Sequence, residues 1–228
     1  MQPIATQIRF RPYERGLALV IVMIFLSAIT GITIWAVRQS LMGEGMARNQ
    51  LDLAVARQAA EAALRDAERD IMNVSLAVLP NASCSRGQEA PLGKKGFTQL
   101  CAQGLCEINS DIYATAGWSA GLAANAEPWW PSGKGGQWNN TFADKPSRQP
   151  VNTHNCSTFT GGVPMGTFTG ATAITGVAVQ PEYLIEYFTR VSPISLKPTA
   201  HYRITARGFG YTQRTQVVLQ TIFVPLLE

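Results

Sequence analysis

Between Gly16 and Arg38 the sequence has no charged side chain, and after Arg38 it has no proline until Pro80. The first absence leaves Leu17 to Val37, 21 residues. At about 1.5 Å per helical residue, such a run reaches the roughly 30 Å of a bilayer's hydrocarbon core. The second absence lets one helix continue beyond the apolar run. A cleaved secretory signal is the weaker reading, because those segments have apolar runs of roughly 7 to 15 residues closed by an Ala-x-Ala-like site, and no such site follows here. Histidine is scarce as well: His154 and His201 are the only two, and neither belongs to a recognisable nucleophile–base pair. Cys101 and Cys106 lack the partners of a four-ligand zinc site. Asp111 and Asp144 are isolated, with no calcium-ligand run around them. "SGKGG" at Ser132 to Gly136 lacks phosphate-loop spacing and reads as a turn. The sequence thus offers no catalytic, metal or cofactor site.

What charge there is sits unevenly. The chain has 19 Lys+Arg against 15 Asp+Glu and a sequence pI of about 9.0. Removing Arg9, Arg11, Arg15 and Glu14 from those totals leaves 16 against 14, so the basic excess is partly a property of the first sixteen residues. That excess keeps the leader in the cytoplasm and sends the rest across the inner membrane. It also removes the footing for a nucleic-acid partner. The four cysteines, Cys84, Cys101, Cys106 and Cys156, all lie beyond the helical region, which fits disulfides in an oxidising periplasm. Three pairings are open, and only the short Cys101 to Cys106 span hints at a local loop; buried free thiols are the alternative.

Along the chain the parts read as a leader (1–16), an N-terminal helix (17–79, with 17–37 spanning the membrane) and a periplasmic head (80–228). Leu53, Ala60, Leu64, Ala67 and Ile71 form a stripe down one helical face, with Ala56, Ala59 and Ala63 small enough to let another surface approach. Glu61 to Arg65 is an i,i+4 pair of opposite sign, whereas Asp66 and Asp70 are like-charged at the same spacing and cost a little. Gly43 and Gly45 predict a bend or local melting. From Pro80 to about Pro181 the chain is rich in Gly, Pro, Ser, Thr and Asn, with short strands expected around Glu107 to Tyr113 and Ile174 to Val179. Tyr183 to Val191, His201 to Phe209 and Thr215 to Val224 read as strands of an antiparallel meander, joined in the second case through Gly208 to Arg214. The fold class is α+β: a long N-terminal helix, half membrane-spanning and half amphipathic, packed on a C-terminal antiparallel sheet.

A glycine preceded by basic residues and followed at once by a spanning helix is the substrate pattern of a prepilin peptidase, with Gly16 before the scissile bond and Leu17 as the new N-terminus. "RGLALVIVMIFL", "MARNQLDLAVARQAAEAALRDAERD" at Met46 to Asp70, and the terminal "EYLIEYFTRV" and "YRITARGFGYTQRTQVVLQTIF" together resemble the PilX family of type IV pilus assembly proteins, the minor pilins. The resemblance covers both ends, roughly half of the chain. It implies a pilin-like fold and a non-enzymatic role, with other minor pilins, the major pilin, the prepilin peptidase and an adhesin-like tip protein as partners. Ile21, Leu53, Ala60 and Leu64 become candidates for helix assembly. In pilin-like proteins the fifth residue of the mature helix is usually a glutamate that pairs with a neighbour's terminal amine; here that position is Ile21. A subunit at the distal tip, with no neighbour above it, suits that departure. PilX-type minor pilins and the K-type pseudopilins of type II secretion resemble one another in this respect, so a pseudopilin is the rival reading. A second rival is a carbohydrate- or surface-binding adhesin using Trp118, Trp129, Trp130 and Trp138, although these four read first as a mini-core under a long loop.

Overall fold

A computed structural model describes residues 15–72, 78–87, 93–107, 127–131, 135–138, 151–191 and 196–225. Helix α1 runs Arg15–Met72 and is followed by strands β1 (Leu105–Glu107), β2 (Val163–Pro164), β3 (Glu182–Val191), β4 (Pro198–Phe209) and β5 (Gln216–Phe223). The chain divides into two units, Met1–Gln50 and Leu51–Glu228.

In the first unit α1 is apolar and long enough to cross a membrane, by length and composition. Every side chain from Gly16 to Gln50 is exposed. The three hydroxyls of the 17–37 run bond back to the helix's own carbonyls: Ser27 to Ile24 at 2.8 Å, Thr30 to Leu26 at 2.9 Å and Thr33 to Ile29 at 3.0 Å. This back-bonding removes polar donors from a surface that would otherwise strand them in lipid. Gly43 and Gly45 stay helical, so the local melting expected there is not part of the fold. An i,i+4 ion pair between Glu44 and Arg48 sits across this stretch and supports it.

The second unit contains the sheet. β3, β4 and β5 form the expected antiparallel meander, in register from Glu182↔Arg207 through Val191↔Pro198 and from Tyr202↔Phe223 through Phe209↔Gln216. Two pairings lie outside that expectation. β1 joins β3 in parallel, Leu105 opposite Ile185, and β2 adds a short antiparallel bridge at Val163↔Tyr183. The sheet is therefore mixed. Residues 174–179 form no strand: Gln180 caps them with its own amide, accepting the Ile174 N–H at 2.9 Å and donating to the Ile174 carbonyl at 2.8 Å. Those backbone groups are satisfied without a ladder. β1 shares only Glu107 with the strand expected at Glu107 to Tyr113, and residues 108–113 lie outside the described residues.

Alternation along the strands divides two cores. Tyr183, Ile185, Tyr202, Ile204 and Ala206 pack on one face with Ala63, Ala67 and Ile71 of α1, joined by Phe159, Val163 and Phe168. Leu184 faces the other way, into a smaller cluster with Cys101, Cys106 and Trp138. With apolar partners on both faces, the central strands carry buried residues at successive positions, which is why "EYLIEYF" reads as a near-continuous run.

Candidate functional site

The residues named for processing and helix assembly lie along α1. Gly16, Leu17 and Ile21 occupy its first turns, and Leu17 and Ile21 are 67% and 46% exposed. Further along, the buried face comprises Ala56, Ala59, Ala60, Ala63, Ala67 and Ile71. Leu64 is half-buried against that core, but Leu53 is 52% exposed and lies off the stripe. The reason is the line of contact. The end of β4 and the turn after it meet the helix at Asp52, Ala56 and Ala60, an i+4 ridge inclined to the helix axis, so Leu53 falls beside the covered strip. Approach this close requires glycine: a Cβ on Gly208 of β4 would overlap the Ala56 carbonyl and the Ala60 nitrogen, and one on Gly210, just past the strand, would overlap Asp52.

Three aspartates of α1 each hold a segment of the head. The Asp52 carboxylate accepts the Tyr211 N–H and the hydroxyls of Thr212 and Thr215. Asp66 accepts the Gly166 N–H at 2.7 Å and the Thr169 hydroxyl. Asp70 takes the Arg86 guanidinium, Nε to Oδ1 at 3.0 Å, and the Tyr183 hydroxyl at 2.8 Å. Asp66 and Asp70 are almost fully buried, so their like-charged spacing is not the surface repulsion it suggests. Each charge is spent on the head instead. Burial pushes the Asp66 carboxyl up, against the hydrogen bonds from Gly166 and Thr169. For Arg86 burial works against the charge, but Asp70 outweighs it and the guanidinium is held above its ordinary value. Burial, then the charge of Asp70, pushes the Tyr183 hydroxyl well up. Glu61 pairs backwards with Arg57 at 3.2 Å, where the expected partner was Arg65.

On the far face of the sheet two arginines lie among carboxylates. Arg207 bonds Glu182, Nε to Oε1 at 3.0 Å, and lies 4.8 Å from the Trp138 ring centroid. Arg203 bridges Glu186 at 2.6 Å and Glu127 at 2.9 Å. Burial pushes Glu186 up to about 7 although Arg203 pulls the other way. Trp129, Trp130 and Trp138 belong to this layer. Trp138 is buried and donates its indole N–H to the Trp129 carbonyl at 3.1 Å, and Trp129 meets Trp130 edge-on at 6.2 Å. They form a satellite core over the sheet. Trp118 lies outside the described residues, as do Asp111 and Asp144.

The cysteines resolve one of the three pairings. Cys84 bridges Cys156 across a separation of 72 residues, and Cys101 bridges Cys106 across 5. The two cystines are linked through Gln103, whose amide donates to the Cys156 carbonyl at 2.7 Å and whose backbone carbonyl accepts Arg86 Nη1 at 2.7 Å. His201 stacks on Phe188 at 5.4 Å. Among the described residues no three His, Cys, Asp or Glu side chains group as metal ligands.

Reading the sequence missed Asp52, Arg86, Tyr183 and the Glu127–Arg203–Glu186 bridge as partners. The one available signal was Asp66 and Asp70 themselves: two carboxylates on an otherwise apolar stripe require partners from elsewhere in the chain.

Residues 97–225 match the family model described as type IV pilus assembly protein PilX C-term, and residues 15–65 match the PilX N-terminal model. The first match runs through the middle of the chain, where the quoted motifs are silent. Comparison with curated proteins and with solved structures gave no match. With an apolar assembly helix, a sheet gripping its second half and both family models aligned to those parts, the chain belongs to the PilX family and is a minor pilin of type IV pilus assembly.

Proposed function

We propose that this minor pilin is made as a single-pass inner-membrane precursor with its C-terminus in the periplasm. The prepilin peptidase cleaves between Gly16 and Leu17, and the mature chain takes a place at or near the fibre tip, where it primes assembly. The observation carrying this reading is Ile21, an uncharged and exposed side chain at the position where pilin-like helices usually have glutamate. A shaft subunit needs that carboxylate to meet the amine of a neighbour; a lone carboxylate in lipid costs several kcal/mol unless it is paired. A subunit at the end of the fibre does without it. Its exposed apolar helix offers other minor pilins and the major pilin a surface to pack on, and the head is left to meet neighbouring minor pilins and an adhesin-like tip protein.

Mass spectrometry of the membrane form tests the first half of this proposal. Loss of Met1 to Gly16 with a methylated Leu17 amine is expected, and Gly16→Leu should block processing while leaving insertion intact. Immunogold labelling of sheared fibres tests the second half: label confined to fibre ends supports a tip subunit, whereas label along the shaft defeats it.

A further inference from the structure

Helix α1 changes from fully exposed to gripped within one turn. Every side chain from Gly16 to Leu51 is exposed, and Asp52 is the first that is not. There the carboxylate gathers the β4–β5 turn, one oxygen taking the Tyr211 N–H and the other the hydroxyls of Thr212, at 3.3 Å, and Thr215. Those donors hold the Asp52 carboxyl below its ordinary value, the Thr215 hydroxyl foremost. The turn is also closed on itself, with the Thr215 N–H on the Thr212 carbonyl at 3.2 Å and the Gly210 N–H on the Thr215 carbonyl at 3.0 Å. It is a cradle for one carboxylate. Gly210 lets it close, since a Cβ there would occupy the space of Asp52.

Just before this point the helix is weak. Gly43 and Gly45 have nothing within 4 Å of where a Cβ would stand, so no packing compensates for the poorest helix former after proline. A stretch held by its own backbone bonds and one exposed ion pair, Glu44–Arg48, opens locally at low cost, and such opening spreads residue by residue until something stops it. We propose that Asp52 is that stop, a positioning residue that pins the first gripped turn of α1 to the β4–β5 turn. Unwinding around Gly43 and Gly45 then ends at the head and does not run on into the Ala56 to Ile71 face. A subunit whose apolar half must pass from lipid into a fibre can yield upstream while its head stays folded. This role is independent of where in the fibre the subunit sits.

Hydrogen exchange read by mass spectrometry on the full chain in detergent micelles tests it. Asp52→Ala should raise exchange at amides 53–60 roughly tenfold while leaving β3 unchanged. Thr215→Val should give a smaller rise in the same window. Asp52→Asn, which keeps an acceptor oxygen for Tyr211, should recover part of the protection. Unchanged exchange at 53–60 in Asp52→Ala would overturn the proposal, as would a rise of equal size across β3, which marks a general loss of stability. Should Asp52→Ala fail to fold, Thr215→Val decides by the same two comparisons.

Discussion

Arg86 lies against Asp70 with 1% of either side chain exposed, and its Nη1 reaches on to the Gln103 carbonyl at 2.7 Å. One guanidinium thus joins the last turns of α1 to the loop closed by Cys101 and Cys106. A charge this deep survives only with its partner in place.

Arg86→Ala should therefore cost about 3 to 5 kcal/mol, because it leaves Asp70 buried without its cation. Replacing both members, Asp70→Leu with Arg86→Met, should recover most of that loss. The shortfall should be about 1 to 3 kcal/mol, for the Tyr183 hydroxyl that loses its acceptor and the Gln103 carbonyl that loses its donor. Urea midpoints followed by tryptophan fluorescence in micelles measure both variants.

Glu186 sets a pH dependence. Its folded value is about 7 against an ordinary 4.5, so the folded state binds the proton more tightly than the unfolded chain. The associated stability is fully present below the ordinary value, declines as pH rises towards about 7, and is level beyond; the span is on the order of 3 kcal/mol. Glu186→Gln should flatten most of the decline between pH 5 and 7.5. Asp66, also raised by burial, contributes a decline of the same sign.

Two glycines of α1 and β4 should respond in opposite directions. Gly208→Ala pushes a methyl into the Ala56 carbonyl and should destabilise the head by roughly 1 to 3 kcal/mol. Gly43→Ala meets nothing and should firm the helix by about 0.5 to 1 kcal/mol. Thermal melts of the first variant and helix-amide exchange in the second are the measurements.

Disulfide removal should be unequal. By loop-closure entropy the Cys84–Cys156 bridge, which closes 72 residues, contributes about 4 kcal/mol, and the Cys101–Cys106 bridge, which closes 5, about 2 kcal/mol. Paired Cys→Ala variants compared by urea midpoint should fall in that order.

The parts legible in the sequence were those set by local pattern. The charge-free run from Leu17 to Val37 and the proline-free stretch after it read directly as α1, and the β-branched and aromatic runs after Pro181 read as β3 to β5 within a few residues of their bounds. What stayed hidden depends on residues distant in the chain. β1 pairs in parallel with a strand some eighty residues later, and Gln103 and Arg86 find their partners through loops with no periodicity to read. Leu53 misled because heptad spacing assumes a contact line parallel to the helix, whereas the ridge at Asp52, Ala56 and Ala60 is oblique. Ile174 to Val179 has strand composition, but Ile174 bonds the Gln180 amide and Ala178 the Gly210 carbonyl, which no composition rule anticipates.

The inward-turned hydroxyls of Ser27, Thr30 and Thr33 bear on how the apolar half of α1 selects company. With those donors already engaged, a neighbour meets methyls and methylenes at these positions, whether that neighbour is an acyl chain or another helix. Exchanging one for the other breaks none of these bonds. Fit of bumps into hollows, with no polar handshake to enforce a register, is then what discriminates among neighbours along this stretch.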